Sequence, residues 1–382
     1  MPLAVFTGGG TAGHIIPGLA VIDELRRHGW QAAWIGSRLP SERELVGAAG
    51  VPFHAIPAGK LRRYLSLRNV SDLVLVAAGC ARALLLLAVL RPAVVFAKGS
   101  YVSVPPVIAA RLLGIPVITH ESDATPALAT RINATMARTV LVAFDATRAL
   151  LPPRVRGRVR VTGNPLRTGL ELGDAARARG RLAVPDGMPL LLVTGGSSGA
   201  RAVNELIHGA LPAVARHWFV VHQTGPAWQP PGGGVPPEAA GRYRAVTFVN
   251  EGFADLLAAA DVVVSRAGAN TLGELAATGT PAVLIPLPRT QSRGEQLANA
   301  RLFAERGAAV AMLEEQASAA KLLAVLEELR TDPARRAAMG RAMAALADRA
   351  AVRRIAAIVA RTGGDGYAAG RSAAPGPGAG AE

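Results

Sequence analysis

Short apolar runs alternate with stretches of helical spacing along most of the chain. This alternation predicts a parallel β-sheet covered by helices. The first half contains predicted strands at 3–7, 31–35, 93–97, 117–119 and 140–142, and a helix at 15–28. The pattern begins again with a strand at 190–193, a helix at 200–210, and strands at 262–264 and 282–285. Because both halves repeat this order, we expect two doubly wound α/β domains of the Rossmann type that face each other across a cleft.

The composition is that of a folded protein with a basic surface. Half of the 382 residues are hydrophobic, which excludes disorder of the whole chain. The single cysteine, Cys80, excludes a disulfide framework and fits a reducing compartment. A net charge of +15 points to nucleic acid, an anionic membrane surface or phosphorylated substrates. With 4% aromatic residues and no nucleic-acid-binding motif, we expect no nucleic acid partner.

The most apolar segment is 73–90, which carries Arg82 near its middle. It falls short of the ~20 residues of a spanning helix, and a central arginine is costly in lipid. We therefore expect a soluble protein with one very apolar helix. A basic segment, 60–68, precedes it. Two interpretations stay open: a buried core helix after a basic loop, or an apolar surface rimmed by cations that lies on anionic lipid.

A glycine-rich loop at 8–13 follows the first strand and precedes the first helix. Such a loop brings backbone amides and a helix N-terminus close to a phosphate group. A dinucleotide site would need an acidic residue near the end of the second strand, where this chain has Arg38. This makes an oxidoreductase a weak alternative, and a tight turn that only packs helix on strand is another.

His14 follows this loop directly. A neutral imidazole beside a phosphate-type loop is suited to act as a general base. The alternative is a histidine that merely packs at the start of the helix.

A second glycine-rich loop, at 195–199, lies between a predicted strand and a predicted helix in the other half. Two such loops across one cleft predict phosphate-bearing ligands between the domains. Glu274 falls about one turn into the helix after the strand at 262–265, where a carboxylate can accept both hydroxyls of a ribose. It can also be an ordinary acid near a helix N-terminus. Gln296 is either a sugar contact or a helix-surface residue.

The segment 120–123, His-Glu-Ser-Asp, follows a predicted strand at the sheet edge where ligands bind. Adjacent strand residues point to opposite faces, so His120 and Glu121 do not form a metal pair. We find no His, Asp or Cys spacing typical of a metal site, and we expect metal-independent chemistry.

Taken in order, these motifs resemble the MurG family of peptidoglycan glycosyltransferases. The matching segments are 9–14, 17–20, 99–103, 120–123, 162–167, 195–201, 265–274 and 296–300. The resemblance covers about residues 3–345 and is highly specific as a set.

The resemblance implies an α/β protein of the GT-B fold with two Rossmann-like domains. Residues 1–162 would form the acceptor domain and 163–344 the UDP-GlcNAc domain, with a helix at 345–362 packed back on the first and a disordered tail at 363–382. The implied reaction is inverting transfer of GlcNAc from UDP-GlcNAc to the C4 hydroxyl of MurNAc in lipid I, giving lipid II. The implied protein needs no cofactor, lies on the cytoplasmic side of the cell membrane, and has a cell-wall synthesis complex as a further partner.

The resemblance also implies roles for individual residues, with His14 as the base. The donor contacts carried over are Gly10, Thr11, Ala12, Asp123, Arg167, Ser197, the Val249 backbone, Ala269, Asn270, Thr271, Leu272, Glu274 and Gln296. The acceptor diphosphate would meet Gly13, Gly99, Ser100 and Tyr101.

The chain departs from the common family pattern at three of these positions. One is Ser100, which follows a single glycine, Gly99. Ala12 replaces a frequent glycine, so its methyl group affects how closely a phosphate approaches. Asp123 stands where many members have asparagine, and a carboxylate there repels phosphate. The alternatives are a UDP-sugar transferase acting on diacylglycerol, a non-hydrolysing UDP-GlcNAc epimerase, and a non-catalytic lipid- or nucleotide-binding protein.

Overall fold

The computed structural model describes residues 1–59, 68–167, 169–196, 198–231, 234–249 and 252–364, and the side chains of the helix at 68–90 from Asp72 onwards. Three expectations concern residues outside these ranges. They are the role of Ser197, the basic segment at 60–67, and the tail beyond Gly364.

A seven-stranded parallel sheet forms the N-terminal half. Its strands are β1 Leu3–Thr7, β2 Gln31–Gly36, β3 Phe53–Ala55, β4 Val94–Lys98, β5 Val117–Glu121, β6 Thr139–Val142 and β7 Val159–Val161. Its helices are α1 Ala12–Arg27, α2 Pro40–Ala48, α3 Arg68–Leu90, α4 Val104–Leu112, α5 Leu128–Met136 and α6 Ala146–Leu150. The spatial order is β3-β2-β1-β4-β5-β6-β7. The order reverses between β1 and β4, which opens a ligand crevice at their carboxyl ends.

A six-stranded parallel sheet forms the C-terminal half. Its strands are β8 Leu190–Thr194, β9 Phe219–Gln223, β10 Tyr243–Val246, β11 Val262–Ser265, β12 Ala282–Leu284 and β13 Ala309–Ala311. The helices are α7 Ala175–Leu182, α8 Arg201–Val214, α9 Phe253–Ala259, α10 Ala269–Thr278, α11 Glu295–Glu305, α12 Ala319–Thr331, α13 Pro333–Ala344 and α14 Ala351–Thr362. In the order β10-β9-β8-β11-β12-β13, the reversal falls between β8 and β11. The two α/β sheets confirm the predicted fold class.

Helices cover both faces of each sheet. In β4, Phe96 points into the core under α1, whereas its neighbour Val95 points into the core under α3 and α4. Ile355 and Val359 of α14 belong to the same core as Phe96. The last described helix therefore packs on the N-terminal sheet, although the chain has already built the second one.

The strands predicted from the sequence are confirmed, and two of them reach farther toward the cleft than expected. β4 ends at Lys98, and β5 continues through His120 and Glu121. Charged side chains are almost never fully buried without partners, and the sequence therefore predicted that both strands end before these residues. These three side chains are at most 4% exposed. Hydrogen bonds described below satisfy Lys98 and His120, and Oε2 of Glu121 accepts from the hydroxyl of Thr130 at 2.6 Å.

The apolar helix α3 is not a core helix, so the first of its two interpretations is wrong. From Asp72 to Leu90, where the side chains are described, only a stripe spaced by four residues is buried: Gly79, Ala83 and Leu87. The segment Asp72–Leu90 is long and apolar enough to cross a membrane, with a mean hydropathy of 2.5. Only 17% of its most apolar stretch is buried inside the protein. The exposed large apolar side chains on this helix include Leu73, Val74, Leu75, Leu85 and Val89. One such helix is weak evidence for a spanning segment.

Candidate functional site

The first glycine loop, 8–11, joins β1 to α1 at the cleft edge of the N-terminal sheet. Two of its amides donate to side chains: Gly9 to Oγ of Ser100 at 3.0 Å, and Gly10 to Oε1 of Glu42 at 2.5 Å. Because these amides are already paired, an anion at this loop would meet the first-turn amides of α1 instead. The amide of His14 donates to the carbonyl of Thr11 at 3.1 Å, so the amides offered to an anion are those of Ala12 and Gly13, which have no acceptor inside the helix.

Glu42 fixes the shape of this loop, and the sequence did not single it out. Its carboxylate also accepts from the amide and the hydroxyl of Ser37, at 2.7 and 2.8 Å. A Cβ at Gly9 would lie 2.5 Å from its Oε1, so a larger residue there would collide with the carboxylate. The only sequence signal was an acid in the first turn of α2, which is an ordinary helix-stabilising position.

His14 lies in the first turn of α1 and lines a cavity of about 250 Å³. Withdrawal from solvent, together with the nearby Lys98 ammonium, lowers the pKa of His14 to about 4. The imidazole is therefore neutral at pH 7 and can accept a proton.

The cavity has a polar side and an apolar side, and it gathers residues that the sequence predicted separately. Its polar side consists of Gly9, Gly10, Thr11, His14, Gly99, Ser100 and Tyr101. Its apolar side includes Val76, Val104, Leu128, Ala129 and Ile132. Arg293, from the C-terminal half, also borders it. The cavity can thus hold a ligand with an anionic head and an apolar tail.

Lys98 lies below the cleft and is 1% exposed. Its Nζ donates to Nδ1 of His120 at 2.9 Å, to Oγ of Ser122 at 2.5 Å and to Oδ1 of Asn164 at 3.3 Å. Because Nδ1 of His120 accepts the hydrogen bond from Lys98, the ring proton is on Nε2, which donates to the carbonyl of Gly163 at 3.0 Å. The network joins the ends of β4 and β5 to the segment that leads into the second half. Lys98 was not predicted, although a lysine at the end of an apolar strand is a detectable signal.

Two carboxylates face this buried ammonium. Burial lowers the pKa of Lys98 to about 7, and Glu121 and Asp123 act in the opposite direction. Burial raises the pKa of both carboxyl groups. Asn299 donates to Oδ1 of Asp123 at 2.9 Å and accepts from the amide of Ala124 at 2.9 Å. The Asp123 charge, expected to repel phosphate, is therefore partly compensated. Within the described residues, no group of three or more His, Cys, Asp or Glu side chains could hold a metal ion.

Glu274 and Arg167, which the sequence predicted separately, form one unit. Nε of Arg167 donates to Oε1 of Glu274 at 2.8 Å, and the guanidinium lies 4.8 Å from the ring centre of Phe253. Burial raises the pKa of Glu274, and Arg167 lowers it. A ribose would therefore contact Oε2 or compete with Arg167 for Oε1.

The second glycine loop joins β8 to α8 and is held by Gln223, at the end of β9. Nε2 of Gln223 donates to the carbonyl of Gly196 at 2.9 Å, and its Oε1 accepts from the amide of Val249 at 3.0 Å. Because this amide is engaged, a uracil contact from Val249 would use the carbonyl oxygen. Gln223 was not predicted, although a polar residue at the carboxyl end of a buried strand was a usable signal.

The other predicted donor residues lie at the start of α10 and near α11. Ala269 and Leu272 are buried, so their contribution to a ligand would come from the backbone. Oε1 of Gln296 accepts from the amide of Leu287 at 3.1 Å, which leaves Nε2 as the end that can reach a sugar. Thr271 is half-buried beside them.

Comparison with known families defines the class of this protein. Residues 4–142 match the Glycosyltransferase family 28 N-terminal domain, and residues 190–355 match the Glycosyltransferase family 28 C-terminal domain. The chain is a two-domain glycosyltransferase of the GT-B fold.

Similar proteins define the family more narrowly. A Treponema denticola protein is 42% identical over 345 residues, covering 86% of this chain and 88% of that protein. A Legionella pneumophila protein (strain Lens) is 39% identical over 330 residues, covering 86% and 89%. Both are named UDP-N-acetylglucosamine--N-acetylmuramyl-(pentapeptide) pyrophosphoryl-undecaprenol N-acetylglucosamine transferase. The chain belongs to this family, the MurG glycosyltransferases.

Solved structures share the fold. Acinetobacter baumannii MurG has a TM-score of 0.73 at 24% identity, covering 94% of this chain and 100% of that one. The Staphylococcus aureus MnaA–UDP structure has a TM-score of 0.71 at 12% identity, covering 94% and 96%. At these identities the likeness concerns architecture alone.

Proposed function

We propose that this protein transfers GlcNAc from UDP-GlcNAc to the C4 hydroxyl of MurNAc in undecaprenyl-diphosphate-MurNAc-pentapeptide, the lipid I to lipid II step of peptidoglycan synthesis. The observation that carries the proposal is the placement of His14. Its neutral ring borders a cavity lined by the first glycine loop, by Arg293 and by an apolar wall, in a chain 42% identical to a protein named for this reaction.

The donor would bind in the C-terminal domain. Its diphosphate would lie near the N-termini of α8 and α10, whose amides stabilise the negative charge that develops on departing UDP. Glu274 would hold the ribose, and Gln296 a hydroxyl of GlcNAc.

The acceptor would bind in the cavity, and His14 would act on it. As the C4 oxygen forms its bond to the anomeric carbon, its proton passes to the His14 imidazole. The bond between the anomeric carbon and the phosphate oxygen breaks, and UDP leaves from the opposite face. This single displacement inverts the configuration at the anomeric carbon.

The acceptor diphosphate would lie against the first turn of α1, with Arg293 facing it from the other domain. The apolar wall would receive the first carbons of the lipid. Val76 belongs both to this wall and to α3, whose exposed apolar face would lie on an anionic membrane surface.

Replacing Val89 with Asp tests this membrane contact. The side chain is 81% exposed on α3, and the change removes apolar area and adds a charge that anionic lipid repels. Binding to phosphatidylglycerol vesicles, measured by co-sedimentation, is expected to weaken about tenfold. Leu172→Asp is the matched control, since Leu172 is 74% exposed in the other half of the chain. Equal losses in both variants would contradict a membrane role for α3.

The proposed reaction is tested by UDP release from UDP-GlcNAc, with and without a soluble lipid I analogue. Release that requires the analogue, together with a disaccharide product, is the expected result. Release with diacylglycerol alone would indicate a different lipid acceptor, and release without any acceptor would favour an epimerase-like reaction.

A further inference from the structure

The side chain of Asn270 connects the two domains. It is the second residue of α10, the helix at which the donor would bind. Its Nδ2 donates to the carbonyl oxygen of Gly13 at 2.9 Å, and its Oδ1 accepts from Nδ2 of Asn164 at 2.9 Å. Gly13 directly precedes His14. The nitrogen and the oxygen of the Asn270 amide therefore both bind protein groups, and neither is directed to the UDP-GlcNAc contact that the resemblance implied.

Asn164 anchors this contact to the N-terminal sheet. Its Oδ1 accepts from the hydroxyl of Ser122 at 2.7 Å and from Nζ of Lys98 at 3.3 Å. Since this oxygen is an acceptor, the Asn164 amide nitrogen must be the donor to Asn270. That in turn makes the Asn270 nitrogen the donor to Gly13. The amide orientations follow from the network as a whole.

We propose that Asn270 is a positioning residue for the transfer reaction, holding the first turn of α1, and with it His14, at a fixed distance from the donor helix α10. The inference rests on the proposed function, because it needs His14 to act on the acceptor and α10 to bind the donor. A displacement of about 1 Å between reacting groups can cost about two orders of magnitude in rate. Asn270 touches neither group and acts through the Gly13 carbonyl.

This arrangement predicts a separation between catalysis and donor binding. Asn270→Leu keeps the branched shape and the number of heavy atoms of the side chain and removes both hydrogen bonds. The kcat for a soluble lipid I analogue is expected to fall about tenfold, and the Kd for UDP is expected to stay within about twofold. Gln31→Leu is the matched control, since this exposed amide lies at the start of β2, at the sheet edge opposite the cleft. Asn270→Ala serves if the leucine variant does not fold.

A double mutant tests whether Asn270 works through His14. In the His14→Ala background, Asn270→Leu should have no further effect on kcat, because the group that it positions is gone. Additive losses would overturn the proposal, as would unchanged kcat or a loss of UDP affinity as large as the loss of kcat. If the wild-type protein binds UDP but transfers nothing to the analogue, the proposed function fails. If the wild type transfers and the variant equals it, only this inference fails.

Discussion

Replacement of His14 with Ala is expected to lower the rate of GlcNAc transfer about 10²–10⁴-fold. The variant loses the group that we propose removes the proton of the attacking hydroxyl. UDP affinity should change little, because His14 borders the cavity on the N-terminal side and the proposed donor site lies in the other domain. Single-turnover transfer to a lipid I analogue measures the first effect, and titration with UDP measures the second.

Two further variants make this result specific. His14→Gln keeps a polar side chain without a basic ring nitrogen and should be as impaired as His14→Ala. His217→Ala removes an exposed imidazole from the C-terminal half and should leave transfer unchanged. Turnover by His14→Ala at the wild-type rate would remove the base assignment.

The pH profile gives an independent check of the same assignment. The pKa of His14 is lowered to about 4, so the base form is present at higher pH and is lost as the pH falls through that value. The kcat/KM value, which reports the free enzyme, should therefore hold through pH 6.5 and decline near pH 4. The pKa seen in kcat should be higher, because a bound diphosphate stabilises the imidazolium.

The sequence predicted the strands that have a clear local pattern, and it did not predict β3, β7, β9, β10 and β13. A short apolar run is recognisable from a few residues, and β1 was predicted with its observed ends, Leu3–Thr7. The ends of β4 and β5 were missed because Lys98 and His120 are buried through contacts with each other and with Asn164. Those partners are distant in the chain and meet only after both strands are paired.

The same limit applies to the site. Loop positions and His14 could be found because glycines and a histidine at fixed offsets carry a local signal. Glu42 could not, because its role depends on reaching Gly10 from α2, which follows the neighbouring strand β2. Asn270 was assigned to the donor only through the resemblance, and its interdomain contact with Gly13 appears only when both halves are folded.

Replacement of Glu274 with Ala is the second change with a large expected effect, and it acts on donor binding. Hydrogen bonds to a charged group contribute about 1.5–3 kcal/mol, so the Kd for UDP should rise about 10–100-fold. Isothermal titration with UDP measures this directly. Glu274→Gln keeps the shape and one acceptor oxygen, and its loss should be intermediate. Glu305→Ala removes an exposed acid from the end of α11 and is the matched control.

Because Glu274 forms an ion pair with Arg167, the experiment must distinguish a ribose ligand from an acid that only stabilises the helix. The carboxylate is buried, so its removal leaves the Arg167 guanidinium without that partner and lowers the free energy of unfolding in either case. A residue that only stabilises the helix would lower the melting temperature and leave UDP affinity as it was. A ribose ligand would lower both the melting temperature and the UDP affinity.

Because Arg167 also stacks on Phe253, Arg167→Met keeps part of that packing and should weaken UDP binding less than Glu274→Ala.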